Sequence, residues 1–371
     1  MDKPPGRSPA KPPDPPDRRD GDESLAPETG ALALPSPVAG SGTLDQLVET
    51  ARDYARQAAA ENTLNAYARD WAHFARWCRM RGAEPLPISP QLIGLYIADL
   101  AAPGGKAPSQ SAFRPLSVSS IERRLSGLTW GYAQRGERLD RKDRHIASVL
   151  AGIRRKHARP PAQKEAILAQ DLRAMLATLA HDLRGLRDRA ILLIGFAGGL
   201  RRSEIVSLDH GRDDTPDSGG WVDMLEDGIL ITLRGKTGWR EVEIARGSSD
   251  QTCPVHALTQ WLHFARIDFG PIFVAITRNG RKATRERLSD KHVARLIKQT
   301  VEEAGLRPEL SKAERLALYS GHSLRAGLAS SAEVDERHVQ KQLGHASAEM
   351  TRRYQRRRDR FRINLTKAAG L

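Results

Sequence analysis

The chain has 371 residues, enough for two ordinary domains each with its own core, and its apolar fraction of 39% is compatible with globular folding. It carries 59 Lys and Arg against 45 Asp and Glu, a net charge of +14. No apolar stretch approaches the length of a membrane span, the opening residues lack the apolar segment of a signal peptide, and Cys78 and Cys253 stand far apart without a partner motif. A membrane protein, a secreted disulfide scaffold and a cysteine zinc site are not expected; a cytoplasmic, nucleoid-associated protein is.

Residues 1–41 contain ten of the 22 prolines, with clustered charges and almost no aromatic or β-branched residues. Such a segment buries too little surface to offset the entropy of ordering, so a disordered Pro-rich leader is predicted. It holds five Lys and Arg against seven Asp and Glu, which leaves +16 on the remainder. A body this basic points to a polyanion, because neutralising phosphates releases condensed counterions and gives affinity before any base is read.

From residue 42 to residue 157 the pattern is helical. In ENTLNAYARDWAHFARWCRM the residues Leu64, Tyr67, Trp71, Phe74 and Cys78 step by three and four along one face, with Asn62 or Thr63 as the expected start. SPQLIGLYIADL opens a second helix, with Ser89 as N-cap and Pro90 at the first helical position. SVSSIERRLSGLTWGYAQRG places Ile121, Leu125, Leu128 and Tyr132 on one face with Gly136 past its end, and DRHIASVLAGIRRKHAR adds a helix ending in a basic turn. A basic helix is able to enter a major groove, where the arginines of RRLSG and GIRRKHAR would either read bases or follow phosphates.

Residues 158–166 read as a linker because Pro160 and Pro161 cannot continue a helix, and residues 167–371 form the second domain. LAQDLRAMLATL and GLRDRAILLIGFAGGL are helical, the unbroken AILLIGFA implying burial on most sides. One clear strand pair follows, GILITL and REVEIA joined by RGKTGW, and the short IFVAI is expected to extend that sheet. PVHALTQWLHFA, DKHVARLIKQTVEEAG, HSLRAGLASSA and the stretch around Tyr354 complete a domain that is mainly α with a small antiparallel β-sheet.

Phosphoryl transfer by a protein nucleophile needs the nucleophile, cations around the phosphate and a proton donor for the departing oxygen. All three types occur here in an ordered series. GGLRRSE places Arg201 after a Gly-Gly turn with Glu204 three residues on, close enough to orient the guanidinium. Lys236 lies in the hairpin loop, GHSLRAG sets His322 and Arg325 on one helix face, and LGHAS supplies His345, nine residues before Tyr354. Taken singly these are a surface ion pair, a solvated lysine, a backbone-contacting helix and a half-buried phenol.

Taken together, GLRRSE, RGKTGWR, HSLR, LGHAS and Tyr354 resemble, in order and spacing, the boxes of the tyrosine site-specific recombinases, or phage integrases, on their Cre/Xer-like branch. The resemblance runs from residue 44 to residue 371, since ENTLNAYARDWAHFARWC also looks like the family's core-binding helix. Ala326 departs from it, because many members carry His after the second-box arginine, and the leader has no counterpart.

The resemblance implies a helical, SAM-like core-binding domain and a tyrosine-recombinase catalytic domain that together clamp a duplex. Tyr354 would attack the scissile phosphodiester to give a 3′-phosphotyrosyl link and a free 5′-hydroxyl, with no cofactor or metal. Arg201 and Arg325 would hold the non-bridging oxygens, Lys236 would protonate the leaving oxygen and His345 would donate to the phosphate. His322 would take the phenolic proton, and Glu204 would position Arg201 or His322. The implied partners are double-stranded DNA with an inverted-repeat recombination site and further copies of the chain, a dimer on a site and a tetramer in synapsis. The tail carrying Phe361, Leu365 and Ala368 would dock in a neighbouring subunit. The alternatives are a type IB-like topoisomerase and a catalytically idle DNA-binding accessory protein.

Overall fold

A computed structural model of the chain describes residues 42–57, 61–102, 115–160, 163–212, 215, 217–235, 238–331 and 336–344. The chain divides at Pro160 and Pro161 into two compact units. The expected leader, Lys236, His345, Tyr354 and the tail residues Phe361, Leu365 and Ala368 lie outside the described residues.

The first unit contains the helices α1 (Gly42–Gln57), α2 (Glu61–Met80), α3 (Pro90–Ala101), α4 (Val118–Ala133) and α5 (Arg144–His157). Helix α2 is already formed at Glu61, so Asn62 and Thr63 lie within its first turn rather than before it. The starts of α3 and α4 follow the sequence: Ser89 Oγ accepts the Leu92 N–H and Ser117 Oγ accepts the Ser120 N–H, each satisfying a donor that the first helical turn leaves open. Phe74, Trp77 and Cys78 of α2 meet Tyr96 and Ile97 of α3, Leu125 and Leu128 of α4 and Ile146 and Leu150 of α5 in one apolar cluster. Edge-on aromatic pairs contribute to it, with Trp71 and Tyr132 ring centroids 5.0 Å apart and Phe74 and Tyr96 also 5.0 Å apart. Asp70 is buried, and Arg123 compensates the lost hydration with two hydrogen bonds of 2.5 and 3.0 Å.

The second unit begins with α6 (Ala169–Ala177), α7 (Leu183–Ala197) and the short α8 (Arg202–Val206). The strands β1 (Leu208–His210), β2 (Gly220–Met224), β3 (Gly228–Gly235) and β4 (Gly238–Ala245) follow, then α9 (Pro254–Ala265). After β5 (Gly270–Pro271), β6 (Val274–Ile276) and β7 (Ala283–Arg287) come α10 (Asp290–Glu303), α11 (Lys312–Leu318), α12 (His322–Ser331) and α13 (Glu336–Leu343). Five strands form one sheet in the order β4, β3, β2, β1, β5. The β3–β4 hairpin is in register from Gly228 opposite Ala245 to Gly235 opposite Gly238, as GILITL and REVEIA predict.

Two expectations are corrected. The sheet is mixed, because β1 and β2 run parallel with Leu208 opposite Gly220. The IFVAI segment does not extend it: Val274–Ile276 pairs instead with Ala283–Arg287 in a separate two-stranded sheet, and only the preceding Gly270–Pro271 joins the larger one. The side chains of Ile272 and Phe273 are taken up by the core, and Trp261 of α9 donates its indole N–H to the Ile272 carbonyl at 2.8 Å.

Alternation decides which face of the hairpin is inside. Ile229, Ile231, Leu233, Val242 and Ile244 point into a core shared with Ile191 to Ile194 of α7 and with Leu258 and Trp261 of α9. A buried polar knot fastens the smaller sheet to the end of α8. Arg287 of β7 donates to Asp209 at 2.6 Å and to the carbonyls of Val206 and Leu208, while Thr215 Oγ donates to the other Asp209 oxygen at 2.6 Å. Burial alone would raise the Asp209 pKa, but these donors hold it below its ordinary 3.8.

Candidate active site

The site is built where α7 ends and α8 begins. Gly199 takes a left-handed conformation with φ +56°, which turns the chain so that Leu200 drops into the core and Arg201 emerges extended at the head of α8. Glu204, in the first turn of that helix, reaches back: one carboxylate oxygen accepts the Arg201 backbone N–H at 2.8 Å, and the other accepts Arg201 Nη1 at 2.5 Å. The R-x-x-E spacing therefore makes the ion pair expected from it, with the carboxylate almost wholly buried and Arg201 partly open to solvent.

A third member was not singled out from sequence. Arg240 of β4 donates from Nη2 to Glu204 Oε2 at 3.0 Å and from Nη1 to the carbonyl of Gln342 at 2.7 Å. The signal was present in REVEIA: Arg240 shares the inward parity of Val242 and Ile244, and an arginine on the apolar face of an alternating strand calls for a buried acid. Burial works against ionisation of Glu204, but the Arg201 N–H and the charges of Arg240 and Arg201 outweigh it, so its carboxyl stays below the ordinary 4.5.

Helix α12 supplies His322 and Arg325. Arg325 is 1% exposed and donates through Nη1 to the Gly199 carbonyl at 2.6 Å and through Nη2 to the Leu343 carbonyl. One guanidinium thus spans the turn that carries Arg201 and the end of α13, two residues before His345. His322 stands at the exposed start of α12, and its backbone N–H donates to Ser320 Oγ at 3.2 Å. Partial desolvation, followed by the positive charges of Arg325 and Arg201, lowers its pKa below the ordinary 6.5, so the imidazole is neutral at pH 7.

The structure accordingly brings Arg201, Glu204, His322 and Arg325 into one neighbourhood. Gly235 and Gly238 end the strands on either side of the Lys236 loop, and Gly344 directly precedes His345. Gly344 is left-handed at φ +58°, and a Cβ there would lie 2.8 Å from Arg240 Cδ, so the arginine stem packs beneath this turn. Among the described residues no group of three or more His, Cys, Asp or Glu side chains is placed to hold a metal ion. Among the described residues, too, no helix is long and apolar enough to cross a membrane.

Residues 165–360 match the model of the phage integrase family. An integrase/recombinase xerD homolog of Selenomonas ruminantium is 33% identical over 315 residues, covering 82% of this chain and 84% of that protein. Two solved structures share the fold at low identity. One is the XerH site-specific recombinase bound to palindromic difH substrate in a post-cleavage complex, with a TM-score of 0.55, 17% identity, and coverage of 87% of this chain and 83% of that one. The other is a lambda integrase dimer bound to a COC′ core site, with a TM-score of 0.51, 16% identity, and coverage of 84% and 76%.

Proposed function

Since the chain belongs to the phage integrase family and is a site-specific recombinase that cuts and rejoins DNA, we propose that it does so through a covalent 3′-phosphotyrosyl link formed by Tyr354. The observation that carries this reading is the convergence on one turn. Arg201, Glu204, His322 and Arg325 come from two separate sequence boxes, and Arg325 joins the first box to the end of the helix that leads into LGHAS.

The chemistry follows from those groups. A phenol with an ordinary pKa near 10 is protonated at neutral pH, and a neutral imidazole at His322 is the base that accepts its proton. Tyr354 Oη attacks phosphorus, the 5′-oxygen departs, and Lys236 supplies the proton that makes it a hydroxyl. Arg201, fixed at two points by Glu204, meets the charge that builds on the non-bridging oxygens, and His345 donates to the same phosphate. Arg325, buried while it holds the Gly199 and Leu343 carbonyls, has to shift outward to reach the phosphate when DNA binds. In the second half, a 5′-hydroxyl from another strand attacks the phosphotyrosine and Tyr354 recovers its proton. The bond energy stays in the enzyme throughout, so the reaction calls for no cofactor.

The helical unit, residues 42–157, serves as the core-binding domain, residues 158–166 as the linker and residues 167–371 as the catalytic domain. The DNA-bound complexes of XerH and lambda integrase support a duplex partner, and the lambda integrase dimer supports action by more than one copy. On this chain the finer form of that reading is an inverted-repeat site bound by a dimer, paired into a tetramer, with the tail around Phe361, Leu365 and Ala368 docked in a neighbouring subunit.

A nicked suicide substrate, from which the 5′-hydroxyl strand diffuses away, tests the proposal. Wild-type protein is expected to accumulate a covalent DNA adduct, and Tyr354→Phe to form none while binding DNA within about 3-fold, because phosphate contacts rather than the nucleophile set affinity. Adducts that persist in Tyr354→Phe, or none with the wild type, overturn it. Exchange between two sites rather than relaxation of supercoils separates a recombinase from a type IB topoisomerase.

A further inference from the structure

Arg240 occupies the junction of three motifs, and each contact has a separate physical basis. Its Nη2 gives the buried Glu204 carboxylate a second cation at 3.0 Å, and its Nη1 donates to the carbonyl of Gln342 at 2.7 Å. Its stem fills the space under Gly344, where even a methyl group would not fit. Gln342 answers from the other side, donating its amide to the carbonyls of Glu243 on β4 and Ala197 at the end of α7. The side chain of Arg240 is 16% exposed, so it is a strut within the protein rather than a surface charge awaiting DNA.

Resting on the phosphotyrosyl reading above, we infer that Arg240 is a positioning residue. It fixes the hairpin that carries Lys236, the Glu204 that aims Arg201, and the turn that presents His345 as one rigid assembly. Three catalytic groups from distant parts of the sequence must meet one phosphorus atom, and displacements near 1 Å between such groups are costly in rate. A planar guanidinium suits the task because its two ends donate in fixed directions to a carboxylate and a carbonyl at once. An ammonium at the same place can satisfy one of them.

The test uses the full chain with Arg240→Met, Arg240→Lys, Glu204→Gln and the double variant Arg240→Met/Glu204→Gln. Hydrogen exchange of DNA-free protein reads the strut without reference to catalysis. Arg240→Met is expected to speed exchange of the backbone N–H groups at residues 341–344 by about 10-fold or more, and Arg240→Lys by less. On the suicide substrate at saturating DNA, Arg240→Met should cleave about 10²-fold more slowly with DNA affinity within about 3-fold, and Arg240→Lys should recover part of the rate. The double variant should be slowed by less than the product of the two single effects, since both changes act on one network.

Unchanged exchange at 341–344, full cleavage rate in Arg240→Met, or a loss of DNA affinity that accounts for the loss of rate overturns the inference. Where Arg240→Met does not fold, Arg240→Lys decides in the same two measurements: wild-type exchange with wild-type rate overturns it, and loss in both with affinity retained supports it. Absence of adducts in the wild type would sink the phosphotyrosyl reading, while the exchange result would still decide whether Arg240 holds the turn.

Discussion

Leu343 fills the space that a side chain on Gly199 would take. A Cβ at Gly199 would lie 2.4 Å from Leu343 Cδ2, and the backbone there is left-handed at φ +56°. The GLRRSE and LGHAS boxes are thus packed against each other through a glycine. Gly199→Ala incurs the left-handed penalty of about 1–2 kcal/mol together with overpacking of about 1–3 kcal/mol. The variant should lose about 2–5 kcal/mol in urea unfolding of the full chain, and a loss under about 1 kcal/mol would show that the contact gives way easily. Cleavage should fall with it, because the displaced Leu343 carries the carbonyl that Arg325 holds.

Arg325 bears on the same junction. Lysine in its place keeps one charge but does not reach the Gly199 and Leu343 carbonyls together, so at least one buried acceptor is left without this partner. Arg325→Lys should therefore destabilise the chain by about 1–3 kcal/mol and slow suicide-substrate cleavage by about 10² or more, with DNA affinity within a few-fold. Equilibrium unfolding and single-turnover cleavage measure the two effects. A variant that cleaves at the wild-type rate removes Arg325 from the site.

The environment of His322 sets a pH dependence. Partial desolvation and the nearby charges of Arg325 and Arg201 lower its pKa below 6.5 in the folded protein, so it remains a competent base until the pH drops beneath that value. The single-turnover cleavage rate should be flat near pH 7 and decline on the acid side with a midpoint below 6.5. His322→Gln should be slow and lack that limb. An acid midpoint above 6.5, or an unaltered limb in the variant, would assign the base to another group.

Local rules made the helices of the first unit legible, because Ser89, Pro90 and Ser117 act within one turn and the spacing of Ile121, Leu125, Leu128 and Tyr132 is a property of one helix. The β3–β4 pair was legible for the same reason, its alternation lying in one short run. Strands β1 and β7 were not: LDH is three residues long and ATRER is mostly polar, and the Arg287–Asp209 pair that links them spans 78 positions of sequence. The IFVAI segment misled because apolar, β-rich composition shows that a strand is buried without naming its neighbour. In the site, the pairing of Arg201 with Glu204 could be read from spacing. The role of Arg240 needed the inward face of β4 to be set against α8 and α13, a relation between elements that no local pattern encodes.

The first unit holds a titration that should govern its acid stability. His73 Nδ1 lies 2.9 Å from the Tyr96 hydroxyl, which also accepts from Arg124 at 3.2 Å. Burial, then the charges of Arg124 and Arg76, lowers the His73 pKa from 6.5 to about 4. The unfolded chain takes up this proton as the pH falls through 6.5, whereas the folded chain does so only near 4. Between those values the unfolded state binds more protons, so folding stability declines as the pH is lowered, by at most about 1.4 kcal/mol per pH unit, and is fully restored above 6.5. His73→Gln keeps a hydrogen-bonding group beside Tyr96 but does not titrate. The difference in unfolding free energy between wild type and this variant, measured in urea from about pH 7 down to about pH 4.5, should shift steadily in favour of the variant. A difference that stays constant across that range would mean that His73 takes up its proton in the fold as readily as in the unfolded chain.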